Sequence, residues 1–139
     1  MATIKSYADL QQSKKLAEIL PLESADMCWT NHYYGPLRSS IAISAKSIDE
    51  YKNLLKNFAD LTEIDVFYPA WSLAGLLDVL PQFIKFKGDK YYLRFMKDYV
   101  EYANDEISIT GRCLHTIGNN NLIDACVDMI LKLHESNLL

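Results

Sequence analysis

The sequence predicts an α+β fold: an antiparallel β-meander with helices packed on one face, in a single domain spanning residues 1–139. Two patterns carry that expectation. Apolar residues recur at three- and four-residue steps behind helix-capping side chains, and elsewhere they alternate with polar ones between Gly, Pro and Asn. Length supplies the third observation. A chain of 139 residues, half of them apolar and 23% charged, can bury a core of its own.

Residues 7–20 read as a first helix, with Ser6 as N-cap and Asp9 three positions on. Leu10, Leu16, Ala17 and Leu20 form its stripe, and Pro21 stops it. Residues 24–30 and 38–45 read as strands, because Met27 and Trp29 flank Cys28 and Ile41 and Ile43 alternate with small residues. The turn-forming stretch 31–36 joins them into a hairpin. Ser47 and Glu50 form a capping box for a second helix that shows Ile48, Tyr51, Leu55 and Phe58 on one face and fades near Leu61. Ile64, Val66 and Tyr68 predict a short strand over 63–68, closed by Pro69. Ser72 then opens a short helix lined by Leu73, Leu76, Leu77 and Leu80 and ended by Pro81. Gly75 inside it costs about 1 kcal/mol relative to alanine, so a neighbour packed close against it is expected.

Residues 83–102 predict an aromatic, basic β-hairpin and a following strand. Ile84, Phe86, Tyr91, Leu93 and Phe95 are expected inside, Lys85, Lys87, Tyr92, Arg94 and Met96 outside, with Gly88-Asp89 at the turn. Residues 99–103 extend the meander through Val100 and Tyr102. A last helix runs from Leu122 to about Glu135, capped by an asparagine of Gly118-Asn119-Asn120-Asn121. Its apolar stripe is Leu122, Ile123, Cys126, Ile130 and Leu133. Asp124, Asp128 and Lys132 mark the wet side, with Asp128 and Lys132 at i,i+4 spacing.

Net charge is −4, from 14 basic and 18 acidic side chains, which argues against wholesale coating of nucleic acid. The distribution is uneven. Between residues 83 and 97, Lys85, Lys87, Lys90, Arg94 and Lys97 stand against Asp89 alone, a local +4 that leaves −8 for the remainder. The three cysteines (Cys28, Cys113 and Cys126) do not describe a disulfide framework. The opening residues lack a signal-like apolar run, and no stretch of apolar residues is long enough to span a membrane. A cytoplasmic protein with reduced thiols and no membrane association is the expectation.

Catalytic and metal signatures are sparse. Cys28 with His32 and Cys113 with His115 could in principle supply four zinc ligands, but the spacing is not that of a finger; Cys28 reads as a small buried residue and His32 as a loop residue. His32, His115 and His134 have no nucleophile elbow to serve, and Cys126 lies on the apolar side of its helix. Asp124 and Asp128 share a helix face but read as a solvated one. Five glycines match neither phosphate-binding fingerprint. No catalytic, cofactor-binding or metal residue is therefore assigned. The binding surface to weigh is Lys85, Lys87, Tyr92 and Arg94, whose cations and rings could hold a nucleic-acid backbone, meet an acidic protein, or simply form the wet face of a sheet.

Four blocks occur in order: LPLESADM at 20–27, PAWSL at 69–73, LDVLP at 77–81 and NLIDACVDMI at 121–130. As a set they resemble a family of small proteins of phages, prophages and mobile elements of gut Bacteroidetes. The resemblance implies that genomic setting and a cytoplasmic location, and it brings no mechanism, cofactor or site residue. The leading expectation is a non-enzymatic interaction module of a phage or mobile element with a protein partner, self-association being left open. The alternatives are a nucleic-acid-binding accessory factor using the hairpin 83–97, and a small hydrolase or metal enzyme.

Overall fold

A computed structural model describes residues 6–34, 37–44, 64–104, 112–118 and 121–139. The expected helix over 47–61 lies outside the described residues. The fold is α+β, and every strand pairing among the described residues is antiparallel. Contacts gather into two compact units, Tyr7–Gly75 and Leu76–Leu139.

In the first unit, helix α1 (Leu10–Ala17) starts later than the sequence suggests. Its cap is Asp9, not Ser6: the Asp9 carboxylate accepts the Gln12 N–H at 2.8 Å, and Gln12 Oε1 accepts the Asp9 N–H at 2.9 Å. Residues 7 and 8 are instead extended, with Tyr7 bridging Ser72 and the Ala8 N–H donating to the Trp71 carbonyl. Past Ala17 the backbone tightens through the Ile19 and Leu20 N–H groups, both on the Leu16 carbonyl, before Pro21. The buried side of α1 carries Ser13 beside Leu16, an unexpected polar residue in the stripe. Its hydroxyl accepts the Trp29 indole N–H at 3.1 Å, so the indole can lie inside without an orphaned donor.

Residues 22–24 form a 3₁₀ turn where a strand start was expected. Strand β1 (Met27–Tyr34) then pairs with β2 (Leu37–Ser44), from Met27 against Ser44 to Tyr34 against Leu37. The expected hairpin exists, but β1 runs through much of the anticipated turn, and His32 is a strand residue paired with Ser39. Strand β3 (Ile64–Ala70) lies on the other side of β1, giving the order β2-β1-β3. Pro69 does not close β3; it sits within it opposite Cys28. Among the described strands β3 lies at the edge of its sheet, and an edge strand tolerates proline because one side of its backbone has no ladder to feed.

Helix α2 (Leu73–Val79) is opened by Ser72, whose hydroxyl accepts the Gly75 N–H at 3.2 Å. Asp26 reaches the same helix end, accepting the Ser72 N–H at 2.8 Å and the Ser72 hydroxyl as well. A Cβ on Gly75 would stand 2.7 Å from Asp26 Oδ1, so the close neighbour expected at this glycine is a carboxylate. Trp71, wholly buried, donates its indole N–H to the Ser24 hydroxyl at 3.0 Å. The blocks at 20–27 and 69–73 thus meet in one hydrogen-bonded joint, held by Ser24, Asp26 and Ser72.

The second unit is a four-stranded meander, β4 (Phe83–Phe86), β5 (Asp89–Phe95), β6 (Tyr99–Ala103) and β7 (Arg112–Ile117), joined in that order. Helix α3 (Leu122–Glu135) packs on β6 and β7. Asn121 caps it as expected, its side chain accepting the Ile123 N–H at 2.8 Å. Its C-terminus closes in a Schellman arrangement: Leu138 N–H reaches the Leu133 carbonyl and Asn137 N–H the His134 carbonyl, with Asn137 at φ 55°. Val100, Tyr102, Ala125, Cys126, Met129, Ile130 and Leu133 are sealed between helix and sheet. Each large apolar side chain so buried contributes roughly 1.5–3 kcal/mol. Tyr102 keeps its hydroxyl satisfied by donating to the Pro81 carbonyl at 2.6 Å.

Candidate interaction surface

The side of the meander away from α3 is the surface to which the sequence directs attention. Phe86 pairs with Asp89, so the turn is Lys87-Gly88, one residue earlier than expected. Lys87 at φ 51° and Gly88 at φ 86° are both left-handed, as a two-residue type I′ turn requires. Register then decides which side chains share a face. Lys85 pairs with Lys90 and Phe83 with Tyr92; Arg94 pairs with Glu101, and Glu101 with His115; Tyr99 pairs with Ile117. These form rows on the side of the sheet away from α3.

The four residues singled out in the sequence separate accordingly. Lys85, Tyr92 and Arg94 lie on that outer side. Lys87 sits in the turn, and its ammonium approaches the ring of Phe86, a residue of the opposite parity, at 5.4 Å. Lys90 takes the place intended for Lys87. Its ammonium stands 3.9 Å from the Phe83 ring centre and 5.2 Å from that of Tyr92. The two rings are themselves 6.4 Å apart and tilted by 55°. Arg94 is half-buried and donates to the Asn104 carbonyl at 2.7 Å, so its charge helps to anchor the end of β6.

Beyond Arg94 the middle row continues with Glu101 and His115, whose Oε2 and Nδ1 lie 3.4 Å apart. The His115 ring also packs on Tyr99 at 5.2 Å. A polar row is therefore flanked by two apolar ones. On one side are Phe83 and Tyr92, 45% and 37% exposed; on the other are Met96 and Ile117, 59% and 66% exposed. Met96 reaches the second cluster because its N–H closes a tight turn onto the Tyr99 carbonyl at 3.0 Å. Phe95, expected inside, is also largely exposed at the end of β5. Exposed aromatic and Met side chains around an Arg are the composition of a protein contact surface.

Strand β7 was not anticipated, and its pattern explains why. It turns Thr116 inward and Ile117 outward, inverting the usual apolar-in, polar-out signal. Thr116 is tolerated inside because its hydroxyl donates to the Ala125 carbonyl of α3 at 2.7 Å. Beside β7, an open groove of about 460 Å³ is lined by His115, Ile117, Asp128, Lys132 and Glu135 among others. Lys132 crosses it to donate to the His115 carbonyl at 3.1 Å.

Among the described residues, no group of three or more His, Cys, Asp or Glu is placed to hold a metal ion. The side chains of Cys28, His32 and Cys113 lie outside the described residues. Cys126 is fully buried, and burial pushes its thiol up to about 12, which leaves it a neutral apolar group. Asp124 is half-buried and Asp128 exposed on α3. No helix among the described residues is long and apolar enough to cross a membrane. No protein-family model, curated protein or solved structure matches the chain.

Proposed function

We propose that the protein is a non-enzymatic interaction module, acting in the cytoplasm for a phage or mobile element, and that it binds a protein partner on the outer face of the β4–β7 sheet. The observation that carries this reading is the exposure of Phe83, Tyr92, Met96 and Ile117 around the Arg94–Glu101–His115 row. Apolar side chains left at a surface while the other face holds the core mark a contact site. The four sequence blocks support the genomic setting.

Single-stranded nucleic acid is the second reading, favoured by Lys85 and Lys90 beside two rings. Two features weigh against it. Lys90 already covers the Phe83 ring that a base would need, and Glu101 interrupts any track of phosphates along the same face.

The test is retention of a protein by the tagged chain from an extract of its host. Wild type and Glu135→Gln should retain the same partner, and Tyr92→Ser with Ile117→Ser should lose it. A partner held equally by the double variant, or none held at all, sinks the proposal.

A further inference from the structure

The hairpin tip places two like charges where a stable hairpin would avoid them. The Leu93 N–H donates to the Gln82 carbonyl at 2.9 Å, which sets the alternation of the ladder. Lys85·Lys90 and Phe83·Tyr92 are then both non-hydrogen-bonded pairs, the closer-set kind, with Cα atoms typically about 4.5 Å apart. Like charges directly opposite each other destabilise a hairpin. The fold accommodates one of them by laying the Lys90 ammonium over Phe83 and Tyr92, whose ring faces are partly negative. Carboxylates are placed elsewhere. Among the described residues of this face the one acid is Glu101, in the row of Arg94 and His115. Asp89 belongs to the other parity of β5.

We infer that this corner is an anion site: Lys85 and Lys90 together receive a carboxylate of an acidic peptide segment, while Phe83 and Tyr92 pack against an apolar residue beside it. The inference rests on the proposed interaction face and names the chemistry of its partner. Charge complementarity selects the occupant. Two lysines paired across neighbouring strands match one carboxylate, and the surface of Phe83 and Tyr92 that Lys90 leaves uncovered matches an apolar side chain. A bound carboxylate offsets the repulsion between the paired lysines. Binding strength is thereby obtained at the expense of hairpin stability.

Opposite effects of one substitution test this. Lys85→Glu converts the repelling pair into an attracting one, so the melting temperature of the full chain should rise by about 2–5 °C. The same change should weaken binding of a random glutamate–tyrosine copolymer by roughly tenfold or more, read from amide shifts of Phe83, Lys85, Lys90 and Tyr92. A melting temperature that is lowered or unchanged, or binding that is unaltered, overturns the inference. So does a thymidine oligonucleotide that shifts the same amides more tightly than the copolymer, since the occupant would then be nucleic acid. Should the copolymer leave the corner unmoved while the host partner is still retained through Tyr92 and Ile117, the anion site falls and the interaction face stands. Copolymer binding lost in Lys85→Glu, without any retained partner, upholds the anion site and removes the wider face.

Discussion

Cys126 is held among α3's buried residues with no compensating charge, so its thiol keeps its proton far past the ordinary value of 9.0. Its folded value lies above its unfolded one, and the stability linked to the neutral thiol is complete below about pH 9. That stability is lost as pH rises from there towards about 12. Urea midpoints should therefore fall across this range, and Cys126→Ala should remove part of the fall; equal slopes in both proteins would refute it. Gly118 is constrained by space. A Cβ there would run into the Asn121 carbonyl oxygen and stand 2.9 Å from the Ala125 nitrogen, both backbone atoms that cannot swing away. Gly118→Ala should cost on the order of 3 kcal/mol or more, measured by chemical denaturation. The sequence shows Gly118 as a loop glycine and Cys126 as an apolar stripe residue, and both readings hold. It does not show that Thr116 is inside and Ile117 outside, because that inversion depends on the Ala125 carbonyl, supplied by another element.

Capping decides where the elements begin and end. At α1 the choice between Ser6 and Asp9 turns on Gln12, which returns the hydrogen bond and completes the box at Asp9. Asp9→Ala should cost about 1 kcal/mol by denaturation, while Ser6→Ala should leave stability unchanged. At the end of α3, Asn137 adopts the left-handed conformation that glycine enters without a Cβ penalty. Asn137→Gly should therefore leave stability unchanged or raise it by up to roughly 1 kcal/mol, and a clear loss would contradict the Schellman assignment. At α2 the cap comes partly from Asp26, some 46 residues away in sequence. Ser72 and Gly75 were readable as a helix start and a close approach. Their partner was not, since nothing local in the chain names a carboxylate so distant. Strand starts fared likewise: alternation located the β1–β2 hairpin, but its length follows from pairing on both sides of β1.

At the scale of the molecule, charge is the property most directly read from composition. With net charge −4 and an isoelectric point near 5.3, light scattering should show self-association rising as pH approaches that value and receding above it. The α+β class, the antiparallel hairpins, the capped final helix and the basic character of 83–97 all follow from local patterns, because periodicity, turn residues and charge are properties of neighbouring positions. Which cations face outward together was settled by register. With Lys87 at a left-handed turn, Lys90 stands opposite Lys85 and beside Phe83 and Tyr92, while the inner and outer positions of β5 stay as its alternation predicts. The inward Thr116, the Asp26 cap and the rows that join Arg94 to His115 were settled by tertiary contacts. Each depends on a partner from a separate stretch of chain, and sequence spacing carries no information about which stretches will meet.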